Sequence, residues 1–205
     1  MIRIGLTGSI GMGKSTSAKL FAEAGIPVND SDAVVHDLYS NEAVPLVEAA
    51  FPGSTRDGMV DRQELGRQLS GDPSGFKRLE AIVHPLVRER ERLFLKRQRQ
   101  AGVDMVVLDI PLLFETGADK RVDKIVVVSC DPQIQRQRVL ARPGMTEEKF
   151  DMILSRQTPD AEKRARADYV IDTGRSIDAA REQVKEIIAD LRQKPPTDES
   201  KGGEP

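Results

Sequence analysis

The sequence predicts an α/β protein built on a doubly wound parallel sheet. Short apolar segments recur along the chain, and helical patterns lie between them; the segments are residues 2–7, 27–30, 105–109, 124–129 and 169–172. Continuous apolar runs of this length are typical of parallel strands that are buried on both faces. The first segment leads into a glycine-rich loop and then a helical pattern, which is the order found in nucleotide-binding α/β proteins. We therefore expect a five-stranded sheet covered by helices.

The glycine-rich loop, residues 8–16, fits the phosphate-binding P-loop and reads Gly-Ser-Ile-Gly-Met-Gly-Lys-Ser-Thr. Its glycines let successive backbone N–H groups point into one concavity, where they can hold phosphate oxygens. The following helix adds free N–H groups and the positive end of its dipole. Lys14 is expected to reach the β- and γ-phosphates, and the Ser15 hydroxyl to bind Mg²⁺. The predicted ATP-binding residues of the loop are Gly11, Met12, Gly13, Lys14, Ser15 and Thr16.

The composition describes a soluble globular protein: 39% of residues are hydrophobic, and 31 Lys and Arg stand against 33 Asp and Glu. No apolar run approaches the ~20 residues that span a bilayer, and the N-terminus lacks the pattern of a signal peptide. The single cysteine, Cys130, excludes an internal disulfide and fits a reducing compartment. We expect a cytoplasmic protein, a monomer or weak homo-oligomer, with no nucleic-acid or membrane partner.

Two carboxylates follow the second apolar segment, in the element Asp30-Ser31-Asp32. Helix capping explains one of them, since Asp and Ser favour the first positions of a helix. The other can be functional, because ligands of an open α/β sheet bind beyond the carboxyl ends of its strands. A carboxylate there can face the γ-phosphate and take a proton from an attacking hydroxyl. The residues alone leave open which carboxylate has which role.

About 70 residues of mainly helical pattern separate the second and third apolar segments, whereas a simple crossover needs about 10–15. Within this region we predict a loop over residues 52–58, a capping box from Asp61 to Glu64, and a helix that starts at Asp72-Pro73. The pattern breaks at His84-Pro85, where a new helix is expected to begin. The excess length predicts a helical subdomain, about residues 40–101, that recognises a second substrate.

Two further regions contribute candidate site residues. Asp109 ends the third apolar segment, where it can hold Mg²⁺ through water as a Walker B residue or can simply cap a turn. Residues 136–166 have the pattern of paired helices, with Arg138 and Arg142 near their base. A pair of helices inserted at this point predicts a lid that closes over the phosphates and excludes water. The alternative is that the arginines are ordinary surface charges. We include Arg138 among the predicted ATP-binding residues.

Taken in order along nearly the whole chain, these motifs resemble the dephospho-coenzyme A kinase family. The resemblance depends on the P-loop, Asp30-Ser31-Asp32, Ile82-Val83-His84-Pro85, Pro111-Leu112-Leu113-Phe114-Glu115 and the stretch from Gln135 to Arg142. Many unrelated enzymes share the P-loop, whereas the other elements in combination are far more specific. The common family form of the second element is Asp-Ala-Asp, so Ser31 is a small departure that keeps both carboxylates.

The resemblance implies an adenylate-kinase-like sheet in the order 2-3-1-4-5, with a helical coenzyme-A domain and a lid. It also implies that the chain is an ATP-dependent phosphotransferase with Mg²⁺, whose acceptor is the ribose 3′-hydroxyl of dephospho-coenzyme A. By the family pattern, Asp32 orients and deprotonates that hydroxyl, Lys14 is the catalytic P-loop lysine, and Arg142 is the lid arginine that stabilises the transferring phosphoryl group. The implied acceptor-binding residues are Asp30, Asp32, His84, Pro85, Leu112 and Leu113.

The predicted organisation is a single P-loop kinase domain over residues 1–192, followed by a disordered tail over 193–205. Its core comprises residues 1–39, 102–135 and 167–192. A nucleoside monophosphate kinase or another small-acceptor kinase of the same fold is the alternative, and the His-Pro and Pro-Leu-Leu elements argue against it. A GTP-dependent switch would need the guanine-specifying Asn-Lys-x-Asp, which the sequence lacks.

Overall fold

The computed structural model describes residues 1–72 and 74–193. Its strands are β1 (Ile2–Thr7), β2 (Val28–Asp30), β3 (Thr55–Arg56), β4 (Met59–Val60), β5 (Met105–Asp109), β6 (Lys124–Ser129) and β7 (Tyr169–Asp172). Its α-helices are α1 (Lys14–Glu23), α2 (Ser31–Leu38), α3 (Ala43–Ala50), α4 (Arg62–Ser70), α5 (Gly75–Gln100), α6 (Pro132–Leu140), α7 (Glu147–Ser155), α8 (Asp160–Ala165) and α9 (Ile177–Gln193). Within these ranges, no helix has both the length and the apolar content that a membrane span requires.

Five strands form one parallel sheet in the order β2-β5-β1-β6-β7. When the strands of this sheet are numbered along the chain, the order is 2-3-1-4-5, so the fold class predicted above is confirmed. The register places Leu6 opposite Asp109 on one side of β1 and opposite Val126 on the other. Because β1 lies in the middle of the sheet, the loop that follows it emerges between two neighbouring strand ends.

The chain forms two compact units, with boundaries after Val28 and after Val103. The first unit contains residues 1–28 and 104–193 of the described chain, and its core lies between the sheet and helices α1 and α9. Phe21 of α1 is completely buried in this core. Helix α9 contributes a stripe of buried residues at helical spacing, namely Ala180, Val184, Ile187, Ile188 and Leu191.

The second unit, residues 29–103, has its own apolar cluster, to which α2, α3, α4 and α5 contribute. Helix α5 runs through Pro85 without interruption, so the helix break predicted at His84-Pro85 is wrong. An interior proline removes one helical hydrogen bond and costs about 3 kcal/mol. Apolar side chains on both sides of the proline pack against the same cluster and keep the helix in one piece; they are Leu79, Ile82, Leu86 and Val87.

The predicted loop over residues 52–58 is only partly a loop, because β3 and β4 pair there as a short antiparallel hairpin. Asp57 and Gly58 connect the two strands, and both have positive φ angles, 52° and 76°. This is the backbone conformation that Asp-Gly adopts in two-residue hairpin turns. Strands of two residues are too short to show an alternating pattern of apolar and polar residues. The Asp57-Gly58 dipeptide is therefore the feature of the sequence that indicates this hairpin.

The capping box predicted from Asp61 to Glu64 is half formed. The Asp61 carboxylate accepts the backbone N–H groups of Gln63 and Glu64 at 3.0 and 3.1 Å and caps α4. Glu64 does not return the bond, since the Asp61 N–H donates to the Ser54 carbonyl instead. Its carboxylate accepts hydrogen bonds from Arg67 and Gln68, which lower the pKa of Glu64 to about 2.

Two predictions fall outside the described residues. The first is Pro73, which was expected at the first position of a helix. The second is the disordered tail over residues 193–205. Only Gln193 of that tail is described, and it belongs to α9 and not to a disordered segment. Two short elements of the first unit were not predicted, namely α8 and a turn of 3₁₀-helix at Ala118–Arg121.

Replacing Phe21 with alanine tests the core of the first unit. Phe21→Ala is expected to lower the free energy of unfolding by about 3–5 kcal/mol, because it removes a fully buried aromatic ring and leaves a cavity. Phe76→Ala is the matched control, since Phe76 is 51% exposed, and it should change stability by less than about 1 kcal/mol. Urea unfolding followed by circular dichroism measures both, and equal losses would contradict the assignment of Phe21 to the core.

Candidate functional site

The loop between β1 and α1 owes its shape to glycines with a left-handed backbone. Gly11 and Gly13 have φ angles of 79° and 89°, which L side chains adopt only with strain. Gly13 is the N-cap of α1; in the described chain no side chain caps this helix, and its first turn carries no acidic residue. The start of α1 therefore favours an anion, through its leading N–H groups and the positive end of its dipole.

The loop also packs tightly against its neighbours. A Cβ atom on Gly8 would lie 2.3 Å from Cγ2 of Val128 and 2.8 Å from the carbonyl oxygen of the same residue. On Gly11 it would lie 2.5 Å from Cγ2 of Val139, which belongs to α6. Real Cβ atoms do not approach so closely, so β6 and α6 fix the position of the loop from outside.

Lys14 and Asp109, two residues predicted to belong to the site, form an ion pair in the first unit. The Lys14 Nζ atom lies 2.5 Å from Oδ1 of Asp109. The Asp109 side chain is only 2% exposed, and a buried carboxylate is stable as an ion only beside a compensating charge. Lys14 provides that charge at the point where β5 ends beside β1.

The residues predicted to bind Mg²⁺ fit that ion. Ser15 and Thr16 are exposed in the first turn of α1, and Asp109 is held close to this turn through Lys14. The described residues contain no group of three or more His, Cys, Asp or Glu side chains that could enclose a metal. Mg²⁺ that works with phosphates keeps several waters and needs only one or two protein ligands. A hydroxyl and a carboxylate at the loop meet that requirement.

Arg138 lies beside the same loop. Its guanidinium donates to the Thr173 carbonyl at 2.8 Å, and the Thr173 hydroxyl donates to the Met12 carbonyl at 2.7 Å. Cys130, 3.7 Å from the Arg138 guanidinium, has its pKa raised by burial although the nearby arginine acts in the opposite direction, so it is a plain buried thiol. Arg142 lies exposed, two residues beyond the end of α6.

Two glutamines bind the peptide groups of Ile10 inside the loop. Gln135 of α6 donates from Nε2 to the Ile10 carbonyl at 2.8 Å, and the Ile10 N–H donates to Oε1 of Gln157 at 3.1 Å. The sequence indicated Gln135 only as part of a family stretch, and neither Gln157 nor Thr173 was predicted as a site residue. Gln157 lies in a short connection between α7 and α8, where no periodicity singles it out.

In the second unit, the structure separates the roles of the two carboxylates of the Asp-Ser-Asp element. Asp30 is the N-cap of α2, and its Oδ1 accepts the N–H groups of Asp32 and Ala33 at 2.9 and 3.1 Å. Asp32 lies exposed in the first turn of α2. His84 and Pro85 are exposed on α5. The capping role belongs to Asp30, and the catalytic role of Asp32 stays a prediction.

The two leucines predicted to bind the acceptor differ in exposure. Leu112 is 41% exposed, whereas Leu113 is completely buried. A Cβ atom on Gly5 would lie 3.3 Å from Cδ1 of Leu113, so Leu113 packs against the middle of β1. Of the pair, Leu112 is therefore the one that a ligand can reach in this conformation. Acceptor contact by either leucine stays a prediction.

The comparison with known proteins agrees with the motifs. The sequence model of the dephospho-CoA kinase family matches residues 2–179. The chain is 74% identical over 194 residues to a dephospho-CoA kinase of Rhizobium etli, covering 95% of this chain and 96% of that protein. It belongs to the dephospho-CoA kinase family. A dephospho-CoA kinase of Agrobacterium fabrum is 68% identical over 93% of this chain and 98% of its own length.

Solved structures confirm the fold. A crystal structure of a Thermus thermophilus protein superposes with a TM-score of 0.79 at 37% identity, covering 93% of this chain and 97% of that one. A shikimate kinase of Acinetobacter baumannii, in complex with shikimate, gives a TM-score of 0.55 at 18% identity over 96% of both chains. The second comparison shows a shared fold alone.

Gly8→Ala tests the packing of the loop. Because the new methyl group would overlap the side chain and carbonyl of Val128, the loop must shift, and we expect ATP binding to weaken by at least about tenfold. Gly66→Ala is the matched control, since a Cβ atom there meets nothing within 4 Å and alanine favours the helix α4. Isothermal calorimetry with MgATP measures both variants, and unchanged affinity in Gly8→Ala would refute the packing argument.

Proposed function

We propose that this chain transfers the γ-phosphoryl group of ATP to the ribose 3′-hydroxyl of dephospho-CoA, giving CoA and ADP as the last step of CoA biosynthesis. One observation carries the proposal: a P-loop with its lysine paired to a buried carboxylate, in a chain 74% identical to a dephospho-CoA kinase. Both substrates are small molecules, and we expect the reaction to take place in the cytoplasm.

The donor is bound by the first unit. The N–H groups of the loop and of the start of α1 would hold the β- and γ-phosphates, with Gly11, Met12, Gly13 and Thr16 lining the cradle. Lys14 would exchange part of its contact with Asp109 for phosphate oxygens. Arg138, held beside the loop by Thr173, is positioned for the nucleotide.

Mg²⁺ would be held by the Ser15 hydroxyl and, through water, by Asp109. When bound, the ion neutralises charge on the phosphates and lowers the cost of bringing an attacking oxygen to the γ-phosphorus. The protein contribution is to place a hydroxyl and a buried carboxylate beside the phosphate cradle.

Asp32 would orient the acceptor hydroxyl and take its proton. Asp30 is engaged in capping α2, whereas Asp32 is exposed to an incoming ligand. A general base has to lie within hydrogen-bond reach of the proton that it takes, and an exposed side chain is open to that contact. Most of the catalytic effect in such a transfer comes from positioning and charge neutralisation.

The remaining predicted residues complete the acceptor site and the lid. We propose that residues 40–101 form an acceptor-binding insertion, to which His84 and Pro85 belong, and that Leu112 and Leu113 contribute from the chain after β5. Residues 136–166 would act as a lid that brings Arg142 to the transferring phosphoryl group and excludes water.

A coupled assay of ADP release tests the reaction. With MgATP as donor, the protein is presented separately with dephospho-CoA, AMP, CMP and shikimate. We expect turnover with dephospho-CoA alone and formation of CoA, identified by mass. Turnover with a nucleoside monophosphate would agree with the proposed ATP site but would refute dephospho-CoA as the acceptor.

Asp32→Asn tests the general base. The amide keeps the size of the carboxylate but cannot accept the proton, so kcat is expected to fall by about 10²–10⁴-fold while ATP binding is retained. Asp57→Asn is the matched control: it makes the same change in the exposed hairpin turn, where asparagine accepts a positive φ angle. A fall in kcat of less than about tenfold would show that Asp32 is not the base.

A further inference from the structure

Both backbone hydrogen-bonding groups of one residue in the phosphate-binding loop, Ile10, are engaged by side chains from outside the loop. The Ile10 N–H donates to Gln157, and the Ile10 carbonyl accepts from Gln135. Gln135 is 5% exposed, so its bond lies in the interior. Gln135 comes directly before the predicted lid, residues 136–166, and Gln157 lies inside it, towards its C-terminal end. The predicted lid is therefore joined to the loop near both of its ends.

The backbone next to Gln157 is itself held by a second set of contacts. The next residue, Thr158, donates its N–H to Oε1 of Glu115 at 2.7 Å. Nζ of Lys163, a side chain with no exposed surface, lies 3.3 Å from the same oxygen. Burial opposes ionisation of Glu115, but the Thr158 N–H and the Lys163 charge outweigh it, so the pKa of Glu115 lies below its usual value. An ionised Glu115 therefore fixes the backbone at the Gln157–Thr158 connection.

The other end of the same segment is also attached. Arg136 of α6 forms an ion pair with Glu147 in the first turn of α7. Helix α7 is thus tied to α6 at its start and, through the residues that follow it, to the phosphate-binding loop at its end. A change in the position of α7 would act on the loop through Gln157.

We infer that Gln157 is a positioning residue for the phosphoryl donor, because it fixes the peptide N–H of Ile10 and thereby the orientation of the N–H groups that follow it in the loop. The inference rests on the proposed function for its link to turnover, but nucleotide binding tests it separately. Inside the loop the Met12 N–H donates to the Ser9 carbonyl at 3.1 Å, but N–H groups that stay open for phosphate cannot also fix the shape of the loop. Gln157 and Gln135 supply that constraint from outside.

The direction of the two hydrogen bonds gives a sharp test. At position 157 the side chain must accept, so Gln157→Glu keeps the bond to the Ile10 N–H, whereas Gln157→Met removes it. At position 135 the side chain must donate, so Gln135→Glu sets a carboxylate against a carbonyl and should be worse than Gln135→Met. Both glutamates add the same negative charge, so comparison of the two positions isolates the direction of the hydrogen bond.

The experiment measures the ATP dissociation constant by calorimetry, the KM values for ATP and dephospho-CoA, and amide hydrogen exchange at Ile10. Gln157→Met should weaken ATP binding by about tenfold, since it leaves a partly buried N–H without an acceptor. The KM for dephospho-CoA should stay unchanged, and the Ile10 amide should exchange faster. Gln157→Glu should bind ATP better than Gln157→Met, and the order should reverse at position 135.

Gln137→Met is the matched control, because Gln137 is exposed on the same helix as Gln135 and should behave as wild type. A merely structural role would lower thermal stability and the active fraction without moving the ATP dissociation constant, which would overturn the inference. The same ranking of Glu and Met at both positions would also overturn it. If the wild-type protein binds ATP but does not phosphorylate dephospho-CoA, the proposed function fails, and the binding and exchange data still decide the role of Gln157.

Discussion

A phosphate-binding loop has to keep its own N–H groups open, and much of the first unit is arranged to meet that requirement. Hydrogen bonds within the loop, such as that from the Met12 N–H to the Ser9 carbonyl, use groups that phosphate could otherwise bind. Much of the shape is therefore imposed from outside: Val128 packs against Gly8, the Thr173 hydroxyl binds Met12, and side chains of two helical regions bind Ile10. Strand β6, the residue after β7, helix α6 and the connection after α7 thus all contribute to one short loop.

Charge is arranged around the same point. The buried carboxylate of Asp109 pairs with Lys14 and holds the lysine side chain at the end of β5. A phosphate that arrives at the loop would offer Lys14 a second anion, so the lysine can move between two negative partners without ever being left unpaired in a low-dielectric region. In the second unit, two neighbouring carboxylates differ in their contacts, because the Asp30 carboxylate accepts hydrogen bonds from the backbone at the start of α2.

Much of this could be predicted from the sequence because the signals are local. The strands of the sheet are continuous apolar runs, and their limits differ from the prediction by a single residue, at the start of β2. The P-loop is recognisable from glycine spacing alone, since only glycine tolerates the φ angles of Gly11 and Gly13. The candidate residues Lys14 and Asp109 follow from the loop and from a strand end, and the structure brings them together.

The sequence by itself thus determined the strands of the five-stranded sheet, the phosphate-binding loop and the residue types that could do phosphoryl chemistry. Tertiary structure decided the rest. Whether Pro85 ends a helix depended on packing on both sides of it, which outweighs a local preference. Asp30 and Asp32 are equally able to cap a helix, so only the folded backbone could choose between them. Gln157 contacts Ile10 across 147 residues of sequence, and no local pattern can encode a hydrogen bond that the fold creates by bringing distant segments together.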